Sequence, residues 1–227
     1  MCEFHSPALP RFRQAAVGFA LLGATLLLLF ACARPTERVE VPPRVELKTW
    51  PLIGVVGFTA NGDPRLAREA TEKVVQDLAA AQPGARLLEL GSGAQVLREL
   101  QRTAFDPDTI KAMGARYGVA AVLTGHLELS GMIPDIHMSP AGNTFSAAAK
   151  INSELSAKLR ETASGATLWS DTAHGQWSLG KLRYGGGSVT DLHYSDPGDL
   201  FREIIGHLAW RVTEDFRPTY EQRRVAP

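Results

Sequence analysis

An α/β fold, with a mixed sheet of about five strands and helices packed on it, is what this sequence predicts. Three observations lead there. The apolar runs at residues 52–58 and 119–125 are continuous, as in strands buried on both faces. Between them lie helical patterns that begin on Asp-Pro pairs, Asp63-Pro64 and Asp106-Pro107. From Phe145 to Leu159 the odd positions are mostly apolar and the even ones polar or charged, the period of a long strand with one wet face. The implied order is β-α-β-α-α-β-β-β-α, with a right-handed first crossover.

Each element has its own justification. The run 52–58 is bounded by Pro51 and by the turn Ala60-Asn61-Gly62. The helix after Asp63 carries Leu66, Ala70, Val74 and Leu78 at helical spacing and stops at Pro83-Gly84. Arg86 to Leu90 reads as a short strand. Ser92, with Gln95 three residues on, has the spacing of a capping box for a helix bearing Val96, Leu97 and Leu100. Ile110, Met113 and Tyr117 face inward on the next helix, which Gly118 ends, and the strand 119–125 continues with alternation to Leu129. The turn Ala163-Ser164-Gly165-Ala166 reverses the long strand, and Trp169, Ala173, Trp177 and Leu179 line the return. A last helix starts at Asp196-Pro197, buries Leu200, Ile204, Ile205, Leu208 and Val212, and ends before Pro218.

The address of the chain is read from its first 32 residues. Arg11 and Arg13 precede 17 uncharged residues, 15–31, which end at Phe30-Ala31-Cys32. A basic start, an apolar middle and a small residue before a break describe a secretory signal peptide, and the run is at the short limit for a spanning helix. The ending resembles the bacterial lipobox, which implies that Cys32 is lipidated and becomes the mature N-terminus. With Ala33 rather than Asp after it, the resemblance implies the outer membrane, periplasmic face. Several acyl chains, each contributing about 0.8 kcal/mol per buried methylene, hold a protein durably on a bilayer.

Without residues 1–31 the chain has 196 residues, carrying 22 basic against 23 acidic side chains. That balance provides no basic excess for a phosphate backbone, so nucleic acid is not an expected partner. Cys2 leaves with the leader and Cys32 takes the lipid, so neither a disulfide nor a thiolate metal cluster is expected. The domain organisation follows: a signal peptide over 1–31, an anchor and tether over 32–50, one α/β domain over 51–218 and a C-terminal tail over 219–227. Eighteen tether residues, rich in proline and mixed charge, reach about 55 Å as polyproline and about 25 Å as a coil.

Three stretches resemble the CsgG, LpoB and TolB N-terminal group of bacterial envelope proteins. They are the strand ending in Phe58 followed by Asn61-Gly62-Asp63-Pro64, the run from Ile110 into the strand Val119 to Gly125, and the hairpin from Leu159 through Thr162-Ala163-Ser164-Gly165 to Trp169. The resemblance covers about residues 50–217. It implies a non-enzymatic lipoprotein that works by protein contact or by self-association. CsgG-type secretion pores need two membrane hairpins per subunit, and a membrane strand takes about 9–11 residues. Here the segment after Met132 contains Pro134 and Pro140, and the other candidate contains Gly185-Gly186-Gly187. Segments 131–144 and 180–195 are therefore expected to be interaction loops, with the oligomeric pore as the alternative. The chain also lacks the long disordered tether usual in LpoB-type activators.

Candidate chemistry is sparse. Leu88-Glu89-Leu90-Gly91-Ser92-Gly93-Ala94 looks like the glycine-rich turn of S-adenosylmethionine methyltransferases, but Gln95 stands where a third glycine is expected. A capped strand-to-helix turn accounts for the same residues. The loop Gly185-Gly186-Gly187-Ser188 lacks the lysine of a phosphate-cradling loop. His126, His137, His174, His193 and His207 show no metalloprotease spacing. Asp135 with His137, and Asp191 with His193, fit loop polarity better than a metal site. No Gly-x-Ser-x-Gly elbow and no spare cysteine are present. The expectation is a non-catalytic protein without cofactor. Trp177, Tyr184 and Tyr194 are its candidate partner-binding aromatics, with hairpin packing as the plainer role.

Overall fold

The computed structural model describes residues 36–139, 144–185, 188–194 and 197–224. They belong to two compact units. The smaller is an antiparallel ribbon of β1 (Thr36–Val41) and β10 (Thr219–Arg224). The larger spans residues 42–218 and is built on one eight-stranded mixed sheet.

In the larger unit β2 (Ile53–Gly57) lies between β4 (Leu87–Ser92) and β5 (Ala121–Leu129), all three parallel. The two-residue β3 (Thr59–Ala60) pairs with the end of β5. Helix α1 (Pro64–Ala81) connects β2 to β4, while α2 (Gly93–Glu99) and α3 (Pro107–Tyr117) lead from β4 to β5. Beyond β5 the sheet is antiparallel. It continues through β7 (Thr144–Glu161), β8 (Thr167–Gly185) and β9 (Ser188–Tyr194), and β6 (Ile133–Met138) pairs with β7 beside the end of β5. Helix α4 (Pro197–Val212) follows.

Local chemistry sets the helix starts. The Asp63 carboxylate accepts from the Arg65 amide at 2.9 Å and the Asp106 carboxylate from the Thr109 amide at 2.7 Å, each with proline as first helical residue. Gly118 ends α3 at φ +68°, a conformation that costs other residues strain. At Ser92 only half of the expected capping box forms: its hydroxyl accepts from the Gln95 amide, but the Gln95 side chain donates to Glu99 instead.

The sheet carries a core on each face. On one, Ile53, Val55, Leu123, Leu155 and Leu159 lie against Ala70, Val74 and Leu78 of α1 and Ile204, Ile205 and Leu208 of α4. On the other, Val56, Val119 and Val122 meet Val96 of α2 and Ile110 and Met113 of α3. Burying one such side chain contributes about 1.5–3 kcal/mol. Continuous apolar runs at β2 and β5 are the direct consequence of this double cover.

The structure differs from the sequence expectation in three places. The five expected strands are present as β2, β4, β5, β7 and β8, but the sheet also contains β3, β6 and β9. Segments 131–144 and 180–195, expected as loops, supply β6 and β9 and the end of β8. Pro134 is tolerated because, among the described residues, β6 has a partner only on its β7 side, and an edge strand can forgo a donor on the other side. The tail 219–227 and the tether 32–50 also contain regular structure, since β10 pairs with β1 from Thr36↔Arg224 to Val41↔Thr219. Within the ribbon the Arg38 guanidinium lies 4.1 Å from the Tyr220 ring centre. Farther along the same segment Leu47 is 1 % exposed. Its amide donates to Gln82 Oε1 at 2.6 Å, and the Gln82 amide group donates to the carbonyls of Val45 and Phe216. Val45, Leu47 and Trp50 find apolar neighbours, which mixed charge in the flanking sequence conceals. Cys32, residues 140–143, Gly186-Gly187, Asp196 and residues 225–227 lie outside the described residues. Among the described residues no helix is long and apolar enough to cross a membrane.

Candidate functional site

β7 and β8 are 18 and 19 residues long. Their first-paired halves lie in the core. The far halves, 144–150 of β7 and 178–185 of β8, are flanked instead by β6 and β9. The four strands form a blade whose paired segments are six or seven residues long, about 20 Å at the usual rise of 3.3 Å per residue.

Register assigns the two faces of the blade. One row joins Met138, Phe145 and Tyr184, the next Ile136, Ala147 and Leu182, and the third Pro134, Ala149 and Gly180. In β9 the backbone positions opposite these rows are Val189, Leu192 and Tyr194. On β6, β7 and β8 the described side chains of this face are apolar, and they continue the row of Ile151 and Trp177 that enters the core. The face is also open: Ile136 is 62 % exposed, Met138 69 % and Tyr184 43 %. Exposed large apolar groups in one contiguous patch mark an interaction surface in a way that scattered ones do not.

The reverse face is charged. Asp135, His137, Ser146, Lys150, Lys181 and Arg183 line a shallow depression there. Lys150 Nζ stands 2.5 Å from one Asp135 oxygen and His137 Nε2 3.0 Å from the other. The Lys150 ammonium, with His137 beyond it, holds the Asp135 carboxyl below the usual carboxylate range. The pair expected as loop polarity is thus an ion-pair row across β6 and β7. Among the described residues no three His, Cys, Asp or Glu side chains are grouped to hold a metal ion.

Of the three candidate aromatics, Trp177 and Tyr184 have described side chains. Tyr184 is on the apolar face near the blade's end. Trp177, seven residues back on the same strand, is half-buried; its ring covers Gly175 and meets His207 edge-on at 5.7 Å. Tyr194 is placed by its backbone, paired with Gly180. The residues missed by sequence reading are Ile136 and Met138. Their signal was the alternation Pro134, Ile136, Met138 against Asp135 and His137, hidden by the proline.

The glycine-rich turn at β4 serves packing. Gly91 has φ +87°, and Gly93 is buried where a Cβ would meet Phe105 and lie 3.6 Å from Val56. A second polar cleft joins Glu128, Glu154 and His174 in one row across β5, β7 and β8, with His174 Nδ1 3.3 Å from Glu154.

Neither a family model nor a curated protein matches the chain. Solved structures are similar to it at low identity. The PelC dodecamer from Paraburkholderia phytofirmans is 14 % identical over 81 % of this chain and 98 % of its own, with a TM-score of 0.42. The lipoprotein GNA1162 from Neisseria meningitidis is 16 % identical over 71 % of this chain and 97 % of its own, with a TM-score of 0.32. The LpoB C-terminal domain from Escherichia coli is 19 % identical over 55 % of this chain and 81 % of its own, with a TM-score of 0.31.

Proposed function

We propose that the protein is a lipid-anchored, non-catalytic module of the cell envelope that acts by contact through its four-stranded blade. Cys32 carries the lipid and the outer membrane's periplasmic face is the address. The observation that supports the reading is the open apolar face centred on Ile136, Met138 and Tyr184. A soluble monomer gains nothing from exposing these three large apolar side chains, whereas a partner surface gains about 25 cal/mol for each Å² covered.

A second reading is favoured by one further observation. The blade consists of two side-by-side hairpins that are apolar on one face and charged on the other, the alternation of a membrane barrel wall. In that reading several copies contribute hairpins to an oligomeric pore. Paired segments of six or seven residues fall short of the 9–11 that a spanning strand takes, so the contact module is preferred.

The double variant Ile136→Asp, Met138→Asp tests both. It should abolish partner capture in cross-linked membranes while circular dichroism and thermal midpoint stay unchanged. Large rings in detergent together with single-channel current in planar bilayers would favour the pore; unaltered capture by the double variant would refute both readings.

A further inference from the structure

A second surface lies at the opposite side of the sheet from the blade. A cavity of about 490 Å³ opens at the carboxyl ends of β2 and β4. Its floor is Val55, Phe58 and Ala67, and its rims are Arg68 and Glu72 of α1 and Glu89 of β4. The size is that of a ligand site, and the place is where open α/β sheets put ligands. The helix after β2 packs on one face of the sheet and the helix after β4 on the other, so the chain leaves the two adjacent strands in opposite directions. The register between β2 and β4 shifts between Val55 and Gly57, beside the cavity.

Three features select the occupant. First, β4 is the end strand of the sheet and, among the described residues, has a partner only on its β2 side. Proteins blunt such edges with proline, charge or cover, and β4 contains no proline and the single charge Glu89. The β6 edge, by contrast, holds Pro134 and the Asp135 ion pair. Second, the floor has no spare polar group: the Thr71 hydroxyl accepts from the Phe58 amide at 2.9 Å and donates to the Ala67 carbonyl at 2.8 Å. Third, Arg68, Glu72 and Glu89 make no ion pair among the described residues, and the two carboxylates outnumber the guanidinium. An acidic rim repels phosphate groups, which argues against a nucleotide.

We propose that the groove between β4 and α1 takes an extended peptide segment of a partner protein. The segment adds a strand to β4 through main-chain hydrogen bonds, places an apolar side chain in the cavity and sets a basic residue against Glu72 and Glu89. Main-chain pairing supplies affinity in this mode and the pocket supplies specificity. The inference is independent of the blade, since the residues are different and the chemistry is strand addition.

The test uses the full lipidated chain in detergent and acetylated, amidated hexapeptides of alternating valine and threonine, with a central leucine and a flanking lysine. This probe should bind with micromolar affinity. Replacing the leucine by glycine, or methylating the backbone nitrogens that face β4, should weaken binding about tenfold or more. Ala94→Trp, at the exposed rim, should do the same, and Glu72→Lys should switch the preference from the lysine peptide to its glutamate counterpart. Circular dichroism verifies that both variants fold. Absence of binding at millimolar peptide, equal binding of the N-methylated peptide, or a dimer in solution that Ala94→Trp dissolves would each overturn the proposal. The second of these outcomes would indicate a small-ligand pocket and the third a second copy on the β4 edge.

Discussion

The near and far halves of β7 and β8 follow one sequence rule and meet different fates. In the near half, odd positions of β7 such as Leu155 and Leu159 are covered by α1 and α4 and are at most 1 % exposed. In the far half the same alternation continues through Phe145, Ala147 and Ala149, but Ile136 and Met138 beside them stay open. The pattern of a strand records which face is apolar, and the helices decide where that face is satisfied within the chain. Where they stop, the surplus apolar face is left open.

That contrast can be broken by mutation. Leu155→Ala removes a fully buried side chain and should cost about 2–5 kcal/mol in denaturant unfolding. Gly125→Ala should cost about 1–3 kcal/mol, because the new methyl would lie 2.5 Å from the Phe58 ring. Asp106→Ala leaves the Thr109 amide without its cap and should cost about 1 kcal/mol. Met138→Ala, on the blade, should stay within about 0.5 kcal/mol of wild type while weakening partner contact. If the blade variant destabilised the fold as much as Leu155→Ala, the two halves would not differ in the way described.

The charged face of the blade sharpens the comparison through pH. The native Asp135 carboxyl is held below its ordinary value near 4, mainly by the hydrogen bond from Lys150. The contribution of this pair is therefore complete above the ordinary carboxylate range, and it is lost as pH falls through the lowered native value. Lys150→Met should return the Asp135 titration, followed by carboxyl NMR, toward the ordinary range. An unchanged titration would remove the ion pair from the account.

Much of this architecture was legible because local and tertiary signals agree. Asp63-Pro64 and Asp106-Pro107 start helices in the sequence and in the structure, and the double burial of β2 and β5 is written as unbroken apolar runs. What escaped was structure whose local chemistry argues the other way. Pro134 and the glycines at 185–187 signal loops, yet pairing with the long β7 and β8 holds β6 and β9 in register. The polar strands at 36–41 and 219–224 gain their pairing from each other across the length of the chain, a contact that no local window contains. Of the candidate aromatics, Tyr184 lies on the open face, while Trp177 packs over Gly175.

The central claim is that the blade, built on the far halves of β7 and β8, is the contact organ. The most direct measurement is site-specific photo-cross-linking in intact cells, with a benzophenone side chain at Met138 and a control at Leu168, which is 41 % exposed on the near half of β8. The account predicts a discrete protein adduct at Met138 and none at Leu168. Equal yields at the two positions, or no adduct at Met138, would contradict it.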